Sequence, residues 1–239
     1  CCDGITDNHK GAYYVLPSRE NIADAVEIQA RAHKLNGLVL LASCDKIIPG
    51  MLMAAARLDI PCVFLPGGCT LSAPPFGKKI RSDTTSISEG LGKYSNGEIS
   101  YEELQALTQY CAPTCGSCQF MGTANTMQSL TEALGISLAG SATVPAFHSA
   151  KLLYARHAGQ RIVGLIEEGL SIKKILTQQS LENALMVSLA IGGSTNVALH
   201  LPAIAYELSL ELPLSRFNDY SRIIPTLCGI SPNGPHGMI

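Results

Sequence analysis

The stretch "LVLLASCDKIIPGMLMAAARLDIPCVFLPGG", residues 38–68, decides the fold. Its first six residues, Leu38 to Ser43, are apolar and of strand length, which predicts a short, fully buried strand. Pro49-Gly50 then opens a helical run, "MLMAAARL", and "PCVFLPGG" reads as a second strand closed by Gly67-Gly68. Just upstream, "RENIADAVEIQARAHKL" carries Ile22, Ala23, Val26, Ile28 and Ala30 at helical spacing. Ser18 or a neighbour is placed to cap that helix, and Asn36-Gly37 to end it. Helix, strand, helix, strand with short links predicts an α/β fold. The sheet is expected to be open, mostly parallel and doubly wound, with helices flanking it.

Further along the pattern is less regular. From Leu71 to Ser100, with Pro74-Pro75 and the polar "KKIRSDTTSIS", the chain reads as a long surface excursion. Ser100 and Glu103 form a capping-box pattern for a helix over 101–110. "FMGTANTMQSLTEALGI" is a further helix ended at Gly135, and others are expected near 147–169 and 181–190. "GGSTN" at 192–196 interrupts a run that resumes as "VALHLPAIAYEL".

Composition narrows the function. The chain has 239 residues, 46% of them apolar, so it can bury a large core. A net charge of -2 argues against a nucleic-acid or membrane-surface role driven by charge. No apolar run nears the roughly 18 residues that would span a bilayer. No stretch reads as a signal peptide, and nine cysteines, an odd number, fit free thiols in a cytoplasmic protein better than a disulfide scaffold. Cys62, Cys69 and Cys228 suit that reading.

The chemistry concentrates at "CDK", Cys44-Asp45-Lys46, which follows the first strand. In open α/β sheets ligands bind beyond the carboxyl ends of strands, here with a helix N-terminus close behind. A thiolate suits soft metals and a carboxylate hard ones, so Cys44 and Asp45 could serve two different metals from one turn. The tripeptide reads equally as a buried thiol beside a helix-capping aspartate. "CAPTCGSC" places Cys111, Cys115 and Cys118 within eight residues. A zinc site wants a second ligand pair, and the chain offers neither a clean second Cys-x-x-Cys nor a His-x3-His. A cluster is favoured over zinc. A redox dithiol of Cys115 and Cys118 would normally follow a strand directly, whereas this pair follows a helix. Asp3, in "CCDGITDNHKG", reads by default as a turn residue, and His9 as a surface loop residue. The adjacent Cys1-Cys2 is a poor chelating pair.

With these residues in hand, the chain resembles the dihydroxy-acid dehydratase and phosphogluconate dehydratase family. The match includes "CDGIT", "LPSRENIAD", "CDKIIPGMLMAAARLDIP", "CGSCQFMGTANTMQSLTEALG", "ENALMVSLAIGGSTN" and "HLPAIA". The resemblance implies a hydro-lyase that converts a 2,3-dihydroxy carboxylate to a 2-oxo acid, in branched-chain amino-acid biosynthesis. A sugar-acid dehydratase of the xylonate, arabinonate or 6-phosphogluconate type is the alternative, as is a non-catalytic metal-binding fragment. It implies an iron–sulfur cluster (2Fe–2S or 4Fe–4S) on Cys44 and Cys118. It implies Mg2+ on Asp3, Asp45 and Lys46, the lysine as a carbamate. Cys111 and Cys115 receive no ligand role. In mechanism, the magnesium would hold the carboxylate and C2 oxygen while a cluster iron acts as Lewis acid on the leaving hydroxyl. A homodimer is implied for the full-length protein. Residues 1–239 are expected to be an N-terminal α/β domain incomplete at its N-terminus. A further cluster cysteine, a magnesium-binding glutamate and the base are expected outside it, the last two in an absent C-terminal β-rich domain.

Overall fold

The computed structural model describes residues 3–6, 9–72 and 82–238. Its order is α1 (Asp3–Thr6), a 3-10 turn (Lys10–Tyr14), α2 (Val15–Ala32), β1 (Leu38–Ala42), α3 (Ile47–Leu58), β2 (Cys62–Pro66), α4 (Thr84–Ser95) and α5 (Tyr101–Tyr110). There follow α6 (Thr123–Ala133), α7 (Ala150–Glu167), α8 (Ile172–Ile175), α9 (Gln178–Ala190), α10 (Val197–Glu207) and α11 (Leu214–Ser221). The fold is α/β. β1 and β2 pair in parallel, Leu38 against Cys62 through Ala42 against Pro66, with α3 as the crossover.

β2 is buried along its whole length, and its alternate residues serve two layers. Cys62 and Phe64 join the main core with α3, α6, α9 and α10, whereas Val63 packs against Ala158 and Leu165 of α7. Helices thus cover both faces of the sheet. β1 departs from the expected full burial. Leu40 and Ala42 face the core, but Val39 is 43% and Leu41 59% exposed. The physical reason is position: α7 and the Phe64–Ser137 bridge cover β2, while the same outer face of β1 is left open.

Two helix starts differ from the sequence reading. α2 begins at Val15, so Pro17 lies in its first turn, and Ser18 donates to the Val15 carbonyl instead of capping. α3 begins at Ile47 with Lys46 as N-cap, two residues before Pro49. A first-turn proline costs a helix nothing, because the first amides have no intrahelical partner. The expected excursion over 71–100 holds a helix, α4, capped by Asp83. The middle of that excursion, 73–81, and Cys1-Cys2 lie outside the described residues. Among those described, no helix is long and apolar enough to cross a membrane.

The Ser100 capping box is present: Ser100 Oγ accepts from the Glu103 amide at 3.2 Å, and Glu103 Oε2 accepts from the Ser100 amide at 3.1 Å. Ser100→Ala is expected to cost about 1 kcal/mol, read as a lower midpoint in urea unfolding. An unchanged midpoint would mean the cap contributes nothing.

Candidate functional site

After Ala42 the chain leaves β1 and turns at once into α3. Ile48 N donates to the Cys44 carbonyl at 3.3 Å and Gly50 N to that of Lys46 at 3.1 Å. Asp45 and Lys46 sit at this corner, only 6% and 4% exposed. α1 delivers Asp3 to the same point. Lys46 Nζ lies 2.9 Å from Asp3 Oδ2 and 2.8 Å from Asp45 Oδ2. The three sequence-predicted oxygen and amine residues are therefore one cluster, and Asp3 is no ordinary turn residue.

α10 closes the cluster. His200, fully buried, places Nε2 3.0 Å from Asp45 Oδ1. Its other nitrogen, Nδ1, faces Arg19 Nη1 at 3.2 Å. A guanidinium can only donate, so Nδ1 accepts and Nε2 carries the hydrogen given to Asp45. Arg19 also donates to the Leu199 carbonyl at 3.0 Å. α2 comes close enough for this because α3 has glycine at position 50. A Cβ there would lie 2.7 Å from the Arg19 carbonyl oxygen. Asn196 Nδ2 reaches Asp45 Oδ2 at 3.5 Å and Thr123 Oγ1 at 2.9 Å.

The electrostatics follow from these contacts. For Asp45, burial opposes ionisation, but the hydrogen bonds of His200, Asp3 and Lys46 outweigh it and hold the carboxyl well below the usual range. Burial, with the adjacent Asp45, pushes Asp3 up to about 6. Burial disfavours the Lys46 ammonium, yet hydrogen bonds and charge from Asp45 and Asp3 prevail and its pKa is raised. Burial pushes His200 down, towards the neutral ring.

The cluster suits a hard cation. Two carboxylates from different elements converge on one point, which the ammonium fills. Asp3 Oδ1 is buried with no hydrogen-bond partner among the described residues. Carboxylate oxygens are the donors magnesium takes. Among the described residues no three His, Cys, Asp or Glu side chains form a ready cation cage. The fit is thus of two carboxylates that Lys46 lies between.

The cysteines divide. Cys44 and Cys118 are half-buried thiols on loops that meet at α6. Gln128 Nε2 donates both to the Ser43 carbonyl at 3.2 Å and to Ser117 Oγ at 3.0 Å, and these are the residues preceding the two cysteines. Two soft donors, each next to a residue that Gln128 ties to α6, are a fit for part of an iron–sulfur site. Cys111 is buried and its thiol pushed up by desolvation, while Cys115 is exposed. Cys62, among apolar neighbours, is pushed up to about 12 by burial. Cys69 is buried and Cys228 half-buried.

Sequence reasoning missed His200, Arg19, Asn196 and Gln128. His200 stands on an apolar helix 155 positions from the aspartate it serves. Gln128 and Asn125 carried one usable signal: amide side chains three apart on a helix whose face is otherwise buried.

Comparison with known proteins agrees with the sequence reading. The family model for the dihydroxy-acid/6-phosphogluconate dehydratase N-terminal region matches residues 1–239. The chain is 49% identical over 238 residues to dihydroxy-acid dehydratase 1 of Methanosarcina acetivorans, covering 100% of this chain and 43% of the relative. It is 51% identical over 239 residues to the dihydroxy-acid dehydratase of Methanothermobacter thermautotrophicus, with the same coverage. Identity to the enzyme of that name in Syntrophotalea carbinolica is 49% over 237 residues, covering 99% of this chain and 43% of the relative. The chain spans about 43% of the length of the curated relatives it matches.

Proposed function

Because the chain belongs to the dihydroxy-acid/6-phosphogluconate dehydratase family, we propose that it forms one face of the active site of a hydro-lyase. The reaction would remove water from a 2,3-dihydroxy carboxylate and leave a 2-oxo acid. The observation that carries this reading is the Asp3–Lys46–Asp45 cluster at the end of β1, with Cys44 beside it. In the full-length protein we place the activity in branched-chain amino-acid biosynthesis and the assembly as a cytoplasmic homodimer. The relatives' names support a dihydroxy acid over a sugar acid.

Asp3 and Asp45 would hold Mg2+, and Cys44 and Cys118 would hold irons of the cluster. When bound, these groups would supply Lewis-acid polarisation at the substrate carboxylate, its C2 oxygen and the departing C3 hydroxyl. The chain's own residues prepare that site. His200 gives its Nε2 hydrogen to Asp45 Oδ1, which leaves Oδ2 facing Lys46. Arg19 fixes the tautomer that makes this possible. Lys46 is an ammonium here because Asp3 and Asp45 hold its proton. Once those carboxylates are engaged elsewhere, the amine can lose that proton and add carbon dioxide. The nitrogen–carbon bond forms, the proton leaves, and an oxygen donor replaces a cation. The near exclusion of water from Asp45 and Lys46 strengthens every charge interaction at the site. We assign the proton-abstracting base to a part of the protein outside these residues.

The test uses full-length protein purified without oxygen. Iron and sulfide are counted, and 2,3-dihydroxyisovalerate is assayed against xylonate, arabinonate and 6-phosphogluconate. We expect iron, sulfide and turnover of 2,3-dihydroxyisovalerate, lost on treatment with a magnesium chelator. Iron-free protein with no turnover of any of the four would refute the reading. Preference for a sugar acid would move the substrate and keep the chemistry.

A further inference from the structure

α6 has a buried polar face where a core helix would ordinarily be apolar. Gln128 is fully buried and Asn125 is 3% exposed. Three apart on a helix, they share one side. Gln128 Oε1 accepts the Gly68 amide at 2.6 Å, beyond the end of β2. Its Nε2 donates to the Ser43 carbonyl at 3.2 Å, beyond the end of β1. The same nitrogen donates to Ser117 Oγ at 3.0 Å and approaches Asn125 Oδ1 at 3.2 Å. Asn125 Nδ2 in turn donates to the carbonyls of Cys118 at 2.6 Å and Phe120 at 2.7 Å. The loop is also stitched to β2's end by its backbone: Ser117 N donates to the Gly68 carbonyl at 3.0 Å and Thr70 N to that of Ser117 at 2.8 Å.

These bonds select particular neighbours. Ser43 precedes Cys44, Ser117 precedes Cys118, and the Asn125 bond falls on the carbonyl of Cys118 itself. One carboxamide with a donor end and an acceptor end thus bonds three chain segments at once, whereas Ser117 Oγ on Gly68 and the Thr70–Thr114 hydroxyls join only the β2 exit to the cysteine loop. A side chain needed merely to fill the space would be apolar. A buried amide that meets strand ends and both cysteine loops sets the distance between those loops.

We propose that Gln128, seconded by Asn125, is the positioning residue of the Cys44–Cys118 pair: it sets the spacing at which the two sulfurs meet an iron–sulfur cluster. This inference rests on the functional reading above. Gln128 touches neither substrate nor cluster and acts through Ser43, Ser117 and Asn125.

The test compares full-length, anaerobically purified wild type with Gln128→Met, Gln128→Glu and a control, Met127→Ala. Met127 is the neighbouring fully buried residue, in the main apolar core. The readouts are iron per chain, the electron paramagnetic resonance spectrum of the reduced cluster, its reduction potential, and the melting temperature. Gln128→Met loses both ends of the amide, and Gln128→Glu loses the donor end only. We expect both to lower cluster retention about tenfold or more and to alter the spectrum of what remains. Met127→Ala is expected to lower the melting temperature while iron and spectrum stay as in wild type. Gln128 variants with wild-type iron content, spectrum and potential would overturn the proposal. So would a Met127→Ala protein that loses iron in step, since the effect would then be general loosening. Where the Gln128 variants do not fold, Ser117→Ala decides, because it removes one hydroxyl from the same node. We expect an altered spectrum or potential with near wild-type melting, and no change in either overturns the proposal. An iron-free wild type would instead remove the functional reading on which the proposal stands.

Discussion

Asp45→Asn in the full-length protein is expected to abolish magnesium binding and to lower turnover by about a thousandfold, or about 4 kcal/mol in barrier. The substitution is nearly isosteric, and the new amide can still accept from His200. What it removes is the one carboxyl of the cluster that is firmly ionised, since Asp3 is shifted up to about 6 and the Asp45 carboxyl is held low. Lys46, 4% exposed, is left with Asp3 as its only counter-charge in the cluster. Breaking a buried pair in this way costs about 3 kcal/mol of stability, so melting is followed beside activity. Iron content is expected to stay as in wild type, because Cys44 and its tether to Gln128 are untouched. Calorimetric titration with magnesium and steady-state kinetics check the result. Magnesium still bound with turnover unchanged would remove Asp45 from the site.

How far the sequence led depended on whether a feature was local. The strand–helix–strand unit was legible because its apolar runs and glycine breaks lie within 31 contiguous residues. The Ser100 cap was legible because a capping box spans four. Two starts misled: Pro49 read as the opening of a helix, and Ser18 as the cap of one, where each helix had in fact already begun. α4 escaped because "TTSISEGLGKYS" has two glycines and little apolar spacing, although Asp83 and Ser86 form the reciprocal cap that starts it. At the site, Cys44, Asp45 and Lys46 could be found because they are adjacent. His200 could not, since nothing local tells a lone histidine on a buried helix from one that satisfies its own surroundings, and Gln128 offered only its spacing of three from Asn125. Their partners are supplied by the fold.

The same distinction explains why the site is built from corners. Asp45 and Lys46 occupy the turn from β1 into α3, Gly68 the exit from β2, and Cys118 a loop pinned beside it. Corners present backbone amides and carbonyls that the sheet has ceased to use, and a buried one must be paired. Gln128, Asn125 and Lys151 do that pairing. Lys151, whose burial pushes it down to about 8, donates to the carbonyls of Pro66 and Ser141, both at 2.8 Å. Gln128 and Asn125, which complete hydrogen bonding at the strand ends, are therefore also the groups that hold the loops of Cys44 and Cys118.

Gly116→Ala tests that coupling most severely. Gly116 has φ of +132°, a region open to glycine and costly for alanine. A Cβ there would stand 2.4 Å from Cys69 C and 2.4 Å from Thr70 N, both backbone atoms that cannot turn aside. The loop would have to lift from β2's end, breaking the Ser117–Gly68 and Thr70–Ser117 backbone bonds. Strained backbone plus lost buried bonds amounts to about 3 kcal/mol or more, and for a domain of this size to a melting temperature about 6–12 °C lower. Cys118, two residues on, would move with the loop, so iron retention should fall as well. Gly159→Ala is the matched control. It makes the same change in α7 at a position with nothing within 4 Å, and should raise stability by about 0.5 kcal/mol. Opposite signs for one substitution at two glycines would tie the penalty to the contact at β2. If Gly116→Ala melts like Gly159→Ala and keeps its iron, the loop is not held against the sheet as described, and Cys118 is not fixed by it.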